Sequence, residues 1–573
     1  MTEIKTRRLT TICILTFFVV MIGLTPGVVQ ADGNEAYTIP QIQGDGFTNT
    51  IPSSQYIDTW GVVTADYQDE EKEGFFVQDP VGDGNPATSD GIFVYKDNYD
   101  VHVGDYVKLQ GKVSEYHGMT EMYYPYVTIE DTGYPLPAPV ELNPPVDDDE
   151  SDVYYEALEG MLVYVPDMVV VDGTNVYGEV GGVRSHWGID RVFRGDPAGT
   201  GELIFTDDAG GYELNVRSGN VVKNIVGPLD YTYDEYKVLP AADAQLKVIP
   251  KGSGIGLGRG RAEGRGISIA TYNMFNLFDD IADPGKLQTR SASSLWTAEE
   301  VATMLAKHAR AIHDYLREPD LIAVQEVEKI ELLWQLAATS PIEAEYGAIL
   351  EGGPDVRGIN VGLLYRKDRI KILDVEVRQT CTTLDDDLGP GTDPNYPCLL
   401  EGTNPLFSRP PLVVHLEVLG KGKKGGSELW LILNHFKSKS EGEAETLPRR
   451  IEQAVHVRSL VDEIQADDPE AKVVVLGDLN DFEDSMPLEV LTAGNGLTDL
   501  ILDVGKEDRY TYIYRGASQI LDHILTVPEL EEAVAEVRVV HFNADYPFPL
   551  FSVDTSLGLC SSDHDIFMCF LVL

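Results

Sequence analysis

The fold of the C-terminal half is decided by residues 473–480, which read Val473-Val474-Val475-Leu476-Gly477-Asp478-Leu479-Asn480. Four consecutive apolar residues predict a buried strand, and polar residues follow directly where that strand ends. The same order recurs where Val324 precedes Gln325-Glu326 and where Leu433 precedes Asn434-His435. Open α/β sheets commonly form their sites at the carboxyl ends of strands. The sequence therefore predicts an α/β domain with a site along one sheet edge.

The residues around these strands predict an α/β domain over 267–573, with helices alternating with the strands. Thr297 and Glu300 have the spacing of a capping box, which predicts a helix that runs to about Leu316. A second helix is predicted from Pro448 to Ile464. Further buried strands are predicted at residues 321–324 and 431–433.

Six segments place acids, amides and histidines directly after or beside apolar strands, and it is their joint occurrence in this order that is specific. They are Ala270-Thr271-Tyr272-Asn273, Val324-Gln325-Glu326, Leu433-Asn434-His435-Phe436-Lys437, Gly477-Asp478-Leu479-Asn480-Asp481, Leu521-Asp522-His523-Ile524 and Ser562-Asp563-His564-Asp565. With these motifs the chain resembles the endonuclease/exonuclease/phosphatase (DNase I-like) superfamily over residues 267–573. The resemblance implies a four-layered α/β sandwich. Residues 434–439 are closer to exported bacterial nucleases than to the superfamily at large.

The resemblance also implies the chemistry of phosphodiester hydrolysis, which needs charge neutralisation, an activated water and a stabilised leaving oxygen. Glu326, helped by Asn273, is expected to hold a divalent cation, and Asp563 is a further expected metal contact. The expected ion is Mg²⁺ or Mn²⁺, with Ca²⁺ as an alternative. His564 is expected to be the general base, oriented by Asp563 through the other ring nitrogen.

The remaining roles follow from the same resemblance. His435 either contacts the phosphate or protonates the leaving oxygen, Asp478 and Asn480 position water and phosphate, and Asp522 supports the histidine or metal network. The expected substrate contacts are Asn434, Lys437 and Arg357. Asp481 and His523 are expected to be supporting residues, and Asp565 is a candidate second metal contact.

One position departs from the superfamily pattern. DNase I-like enzymes orient the histidine that corresponds to His435 with a carboxylate near the strand at 361–365, and the sequence has no acid there. Asn360 or Asp355 is left as the substitute, and both alternatives stay open.

The N-terminal half predicts β structure in two parts. Residues 32–145 resemble the OB-fold-like module of some secreted bacterial nucleases, and residues 146–250 are a second β-rich region or an extension of the first. Residues 251–266 have the Gly/Arg composition of a linker. Tyr116, Tyr123, Tyr124 and Tyr126 either stack on single-stranded nucleic acid or pack half-buried, and half-buried packing is the commoner case. An acidic loop at residues 79–90 is interpreted as a solvated turn rather than a calcium site.

Charge and processing signals restrict the function classes. With 94 acidic and 44 basic residues the formal net charge is −50, which disfavours a basic nucleic-acid-binding module. Bound cations invert the local sign, so a metal-bridged phosphodiesterase is still compatible. Residues 1–31 have the pattern of a signal peptide, which predicts a secreted or cell-envelope protein without a membrane span in its mature form. Of the three pairings open to the four mature cysteines, Cys381–Cys398 is favoured.

The sequence therefore predicts a secreted, metal-dependent nuclease acting on DNA, RNA or both, with no stable protein partner. The alternatives are a lipid phosphodiesterase resembling sphingomyelinase, a phosphoinositide phosphatase, and a binding protein that keeps the fold without the chemistry. The complete set of acids and histidines disfavours the last of these.

Overall fold

The computed structural model describes residues 34–95, 98–250, 266–287, 296–384, 398, 400, 402–420, 426–494, 496–548 and 554–573. The predicted signal peptide and residues 251–265 of the predicted linker lie outside the described residues. Within the described ranges, no helix is both long enough and apolar enough to cross a membrane. The predicted Cys381–Cys398 disulfide is confirmed, with 5.8 Å between the two Cα atoms.

The first region is a single eight-stranded sheet with one short helix, α1 (Ile39–Gln43). Its strands are β1 (Glu35–Ala36), β2 (Ile57–Tyr67), β3 (Gly74–Gln78), β4 (Gly91–Tyr95), β5 (Tyr106–Gly111), β6 (Val113–Tyr116), β7 (Met119–Tyr123) and β8 (Tyr126–Asp131). The pairing order is β6-β7-β4-β3-β2-β5-β8, with β1 on β2. Among the described residues, the end strands β6 and β8 do not pair with each other, so these pairings do not close the sheet into a barrel. The OB-like assignment of the region therefore stays a prediction.

The second region is a small closed barrel. Its elements are β9 (Val140–Glu141), α2 (Asp148–Glu156), β10 (Leu162–Asp172), β11 (Val180–Val183), β12 (Val192–Phe193), β13 (Ile204–Thr206), β14 (Val221–Thr232), β15 (Glu235–Val238) and β16 (Lys247–Ile249). The pairings run β14-β15-β13-β11-β10, and β10 pairs again with β14, which closes a five-stranded circuit. Val163, Val222 and Ile225 are fully buried inside it.

A buried carboxyl group, that of Glu159, lies between the first two regions. Its side chain is 0% exposed, and Oε1 accepts the backbone N–H of Thr120 at 3.1 Å and the side-chain amide of Gln43 at 3.4 Å. Oε2 has no hydrogen-bond partner among the described residues. Burial, together with the charge of Glu156, raises the pKa of Glu159 well above its ordinary value. Glu159 therefore keeps its proton in the folded protein at a pH where the unfolded chain has lost it.

We expect the Glu159→Gln variant to be more thermostable than the wild type at pH 8 and equally stable at pH 4. Because the folded-state pKa is raised, the stability that Glu159 contributes is complete below its unfolded pKa and is lost as pH rises above about 4.5. Glutamine keeps the acceptor oxygen and removes this dependence. Thermal unfolding across that pH range measures the effect, with the exposed Glu130→Gln as control. A variant that is less stable at pH 8 would contradict the buried-proton interpretation.

The catalytic domain contains two six-stranded sheets that face each other. Sheet I has the order β19-β20-β18-β17-β32-β31. Its strands are β17 (Ile267–Leu277), β18 (Leu321–Val327), β19 (Tyr346–Glu351), β20 (Asn360–Arg366), β31 (Val534–Val540) and β32 (Ile566–Leu571). Sheet II has the order β21-β24-β25-β26-β30-β27. Its strands are β21 (Ile370–Val377), β24 (Leu412–Val418), β25 (Ser427–His435), β26 (Val473–Asp478), β27 (Thr498–Asp499) and β30 (Asp522–Thr526).

Helices cover the outer faces of both sheets. They are α3 (Ala298–Arg310), which continues as a π turn at Ala311–Tyr315, α4 (Ile330–Ala337), α5 (Glu443–Asp467) and α6 (Met486–Thr492). Two small sheets remain: β22 (Cys381–Thr382) pairs with β23 (Asn404–Pro405), and β28 (Tyr512–Tyr514) pairs with β29 (Ala517–Gln519), to which β12 of the second region is added. Short 3₁₀ turns lie at Ser185–Trp187, Asp208–Gly210, Leu500–Asp503, Lys506–Asp508 and Pro528–Ala533.

Alternation along the strands produces the four layers. In β17, Ile269 packs between the sheets with Leu431 of β25, whereas its neighbour Ala270 packs outward with Met304 of α3. Successive side chains of a strand point to opposite faces, so strands that are apolar on both faces need cover on both sides. The predicted four-layered α/β sandwich is confirmed.

The capping box of α3 is also confirmed, since Thr297 and Glu300 each bond the backbone of the other. The predicted start of α5 at Pro448 is wrong, because the helix begins at Glu443 and includes the proline near its N-terminus. Proline is tolerated close to a helix start, where few intrahelical N–H bonds are lost.

Candidate active site

Strand register brings the predicted polar segments to one edge of the sandwich. In sheet I, Asn273 of β17 is the register partner of Gln325 of β18, which precedes Glu326. In sheet II, Asp478 at the end of β26 is the register partner both of His435 and of Asp522, from its two neighbouring strands. Residues 562–565 come directly before β32, which pairs with β17. Six separated segments therefore form one site.

His564 and Asp522 form the central pair of this site. Nδ1 of His564 donates to Oδ2 of Asp522 at 2.7 Å, and both side chains are almost fully buried. This corrects the sequence analysis, which expected Asp563 to orient His564. Adjacent residues on an extended chain point in different directions, so Asp563 cannot easily reach the ring of its neighbour. The bond to Asp522 fixes the tautomer and leaves Nε2 for the reaction.

The charges around His564 determine its protonation. Burial opposes the charged ring and is the largest single effect, but the charge and hydrogen bond of Asp522, together with the charges of Asp478 and Asp563, outweigh it. The pKa of His564 is therefore raised well above its ordinary value. Burial raises the pKa of Asp563 to about 6, against the lowering effect of His564.

Asp478 connects the two sheets. Its Oδ2 accepts the side-chain amide of Asn273 at 3.1 Å and lies 3.6 Å from Nε2 of His435. Its Oδ1 accepts the backbone N–H of Asn480 at 2.9 Å. Burial raises the pKa of Asp478 to about 7, with His564 acting against the rise and Asp522 adding to it. Burial, helped by the neighbouring carboxylates, therefore leaves Asp478 partly protonated near neutral pH.

Glu326 presents one carboxylate oxygen to the site. Its backbone is left-handed at φ 62°, and Oε2 accepts the backbone N–H of Asn276 at 2.8 Å. Oε1 lies 3.9 Å from Nε2 of His435 and 4.0 Å from Nη1 of Arg357, which are longer than hydrogen bonds. Strained backbone at a non-glycine residue is typical of functional sites.

The donor set fits a hard divalent cation. Oε1 of Glu326 is held without a close donor, and burial, with a smaller contribution from neighbouring carboxylates, raises the pKa values of Asp478 and Asp563, an effect that a bound cation would oppose. Among the described residues no group of three His, Cys, Asp or Glu side chains could hold a metal ion alone. Mg²⁺ typically takes one or two protein carboxylates and completes its shell with water and substrate phosphate, so such a group is not required.

His435 differs from the superfamily pattern. Its Nδ1 is buried and has no hydrogen-bond partner among the described residues. Neither predicted substitute fills this place, because the Asn360 amide donates to the Glu328 carbonyl and Asp355 accepts from Arg409 at 2.7 Å. Burial, with the charges of Arg409, Arg357 and His564, lowers the pKa of His435 well below its ordinary value. His435 is therefore neutral.

Two site residues were not predicted. Asn276 supplies the N–H that holds Glu326 and accepts from Arg357 at 3.2 Å, and its spacing three residues after Asn273 was an available signal. Arg409 is fully buried, donates to the Phe436 carbonyl at 2.8 Å and has no distinguishing sequence context. Only the tertiary structure brings it near His435.

The predicted substrate contacts separate into two groups. Arg357 lies at the site beside Glu326 and is about one-third exposed. Lys437 lies on the segment after His435, where its ammonium group pairs with Glu441 at 2.9 Å. Asn434 is fully buried and donates to the Ile432 carbonyl at 2.9 Å, which contradicts its predicted substrate contact. It follows the alternation of β25, which turns His435 toward the site and Asn434 away.

Asp481, His523 and Asp565 are structural. Asp481 pairs with Lys439 and Arg450, each at 2.7 Å. His523 bonds Asp499 at 2.7 Å and the Asp481 carbonyl at 2.9 Å. Oδ1 of Asp565 accepts three backbone N–H groups from residues 542–544, so it shapes a loop rather than a metal shell.

We expect Asp481→Asn to lower the free energy of unfolding by about 3–5 kcal/mol, because it removes the buried carboxylate that pairs with the fully buried Arg450 and leaves only that of the half-exposed Glu443. Urea unfolding monitored by circular dichroism measures the loss. The control is Asp484→Asn, whose ion pair with Arg194 is exposed and should contribute less than about 1 kcal/mol. Equal losses in the two variants would contradict a structural role for Asp481.

A histidine–carboxylate pair beside the Glu326 carboxylate, at the edge of a two-sheet α/β sandwich, is the arrangement of a hydrolase that acts on phosphodiesters or phosphate esters. The model of the endonuclease/exonuclease/phosphatase family matches residues 268–389 and 407–545, which supports the resemblance of this part of the chain to that superfamily. A second model, described as a domain of unknown function, matches residues 145–251. Among curated proteins, none matches the chain.

Similar solved structures cover the catalytic domain. The endonuclease/exonuclease/phosphatase protein of Bacteroides vulgatus is 18% identical, with 53% of this chain and 98% of that chain covered and a TM-score of 0.35. D. rerio TDP2 complexed with single-strand DNA product is 19% identical, with 54% and 99% covered and a TM-score of 0.34. The human Nocturnin catalytic domain with bound sulfate is 16% identical, with 53% and 94% covered and a TM-score of 0.33.

Proposed function

We propose that the chain is an exported, divalent-cation-dependent nuclease that hydrolyses phosphodiester bonds of extracellular DNA, RNA or both. The observation that carries the proposal is the convergence of the His564–Asp522 pair, Asp478 and the Glu326 carboxylate on one sheet edge. These groups supply a base, a proton donor and a cation ligand, which are the three requirements of phosphodiester hydrolysis.

His564 is the proposed general base. Nε2 accepts the proton of the attacking water while Asp522 holds the ring through Nδ1 and stabilises the imidazolium that forms. Because Asp522 raises the pKa of His564, hydrolysis is fastest at a pH above the ordinary histidine range. The reacting form is the deprotonated ring.

The proton for the leaving oxygen comes from Asp478, whose pKa of about 7 leaves it partly protonated at neutral pH. His435 is neutral, so we assign it to phosphate contact through Nε2–H rather than to proton donation. Arg357 lies beside Glu326 and neutralises phosphate charge.

The cation, Mg²⁺ or Mn²⁺ with Ca²⁺ as an alternative, is proposed to be held by Glu326 and Asn273, with Asp563 nearby. When bound, it neutralises the phosphate and the surplus of buried carboxylates. The net charge of −50 makes this bridging necessary, because the protein surface repels a polyanion.

The test is the release of acid-soluble product from double-stranded DNA, single-stranded DNA and RNA with Mg²⁺, Mn²⁺, Ca²⁺ or EDTA. Cleavage that needs a divalent cation and fails in His564→Ala, but persists in the partly exposed His313→Ala, supports the proposal. Hydrolysis of sphingomyelin or a phosphoinositide, without cleavage of any nucleic acid, would overturn it.

A further inference from the structure

The second β-rich region adds a strand to the catalytic domain. Its β12 pairs in parallel with β29, with Val192 opposite Ala517 and Phe193 opposite Ser518. Two backbone hydrogen bonds join the same region to residues 545–548 of the C-terminal domain. Ser218 N–H donates to the Asp545 carbonyl, and Phe548 N–H donates to the Thr174 carbonyl, each at 2.8 Å. β29 and its partner β28 form a hairpin that carries Tyr512, whose ring lies 4.9 Å from that of His564. The barrel therefore packs against the segment beside the catalytic histidine.

Arg191, the residue before β12, makes the densest contacts of this junction. Its guanidinium donates to the Ser518 hydroxyl at 2.9 Å and to Oδ1 of Asp545 at 2.6 Å, and it lies 3.9 Å above the Tyr510 ring. The Tyr510 hydroxyl donates to the other oxygen of Asp545 at 3.0 Å. The Arg191 side chain is 14% exposed, so water screens these interactions little. Arg191 thereby holds Tyr510 in place between β12 and the loop that contains Asp545.

Thr511, the next residue, bonds the backbone of Asp522 and the backbone of the residue that follows His564. Its hydroxyl accepts the N–H groups of Leu521 at 3.1 Å and Asp522 at 3.3 Å. Its carbonyl accepts the N–H of Asp565, the residue after His564, at 2.7 Å. A displacement of Tyr510 therefore moves the anchor that sets the spacing of Asp522 and His564.

A ring stack provides a second connection. The Tyr510 ring stacks on His541 with centroids 4.0 Å apart and planes 12° apart. Nδ1 of His541 bonds Oδ2 of Asp565 at 2.7 Å. The column Arg191–Tyr510–His541 thus ends on the carboxylate adjacent to the catalytic histidine.

We propose that Arg191 is a positioning residue through which the second β-rich region holds Asp522 and His564 in their reactive geometry. The region matched by the model of unknown function is then part of the catalytic unit, not a separate binding module. The expected loss of rate rests on the proposed function, whereas the expected change in backbone position rests on the contacts alone. Misplacement of a catalytic group by about 1 Å costs on the order of 100-fold in rate.

The experiment compares Arg191→Met, Arg191→Lys and Arg515→Met in the full chain, with nucleic acid hydrolysis as readout. Arg515 is the matched control, because it joins the same hairpin to the barrel through the Tyr233 carbonyl at 2.8 Å without contacting Tyr510 or Asp545. We expect Arg191→Met to lower kcat by about 10- to 100-fold with KM changed by less than about 3-fold. Arg191→Lys should recover part of the rate, and Arg515→Met should match the wild type.

Hydrogen–deuterium exchange separates this inference from the proposed function. In Arg191→Met the amides of Leu521, Asp522 and Asp565 should exchange about 10-fold faster, with no such change in Arg515→Met. If the wild type hydrolyses no nucleic acid, the proposed function fails and exchange still decides the positioning role. Unchanged exchange at these amides would overturn the inference, as would an Arg191→Met rate equal to that of Arg515→Met.

Discussion

Replacement of His564 by alanine is expected to lower kcat/KM for nucleic acid hydrolysis by about 10³- to 10⁴-fold. The ring is the only histidine of the site with a carboxylate on its Nδ1, and no other described histidine is placed to replace it, because His435 has its pKa lowered by burial and nearby arginines. Single-turnover rates with saturating cation measure the loss in the chemical step. Substrate affinity, measured by fluorescence anisotropy on the same variant, should change little.

A second variant distinguishes the role of His564 as the base from the role of Asp522, which holds its ring. Asp522→Asn keeps an acceptor oxygen for Nδ1 but removes the charge that raises the pKa of His564. The base must be deprotonated to act, so the acid limb of the pH–rate profile reports this pKa. We expect the wild-type limb to lie above the ordinary value of about 6.5 and the Asp522→Asn limb to move to lower pH. A limb that stays in place would assign the base to another residue.

Glu326→Gln is expected to lower kcat/KM by about 10³-fold at a fixed, moderate Mg²⁺ concentration, because charge neutralisation of a phosphoryl group supplies several kcal/mol of the barrier reduction. Glutamine keeps the bond from Asn276 N and the local shape but provides a neutral oxygen where Oε1 faces the site. Excess Mg²⁺ or Mn²⁺ should therefore restore part of the rate.

Calorimetric titration of Mn²⁺ into wild type and Glu326→Gln, without substrate, tests the ligand role independently of catalysis. The affinity of the variant should fall by at least about 10-fold. Glu331→Gln, on the exposed surface of α4, is the control and should leave both affinity and rate unchanged. A Glu326→Gln variant with wild-type Mn²⁺ affinity would remove Glu326 from the cation site.

The successful and failed predictions differ in the range over which the deciding interaction acts. The capping box of Thr297 and the strand at 473–478 depend on neighbours within a few residues, and both are confirmed. The predicted start of α5 is wrong because proline is typical of the first helical turn, whereas this helix begins five residues earlier, at Glu443. Asn434 is wrong because the motif identifies a strand end without telling which of two adjacent side chains faces the site.

The amino-acid sequence is enough to predict the layered α/β class and the set of groups available for chemistry, and to favour the Cys381–Cys398 pairing, since apolar runs and the residues after them are local properties. Only the tertiary structure decided the pairing of His564 with Asp522, the neutrality of His435 beside Arg409, and the reach of Arg191 from a separate region to Tyr510. Those interactions join residues from 26 positions apart, for His435 and Arg409, to more than 300 positions apart, for Arg191 and Tyr510. Hydrogen bonds and charge interactions depend on the distance between groups in space. Strand register and domain packing set that distance, and the order of residues along the chain does not.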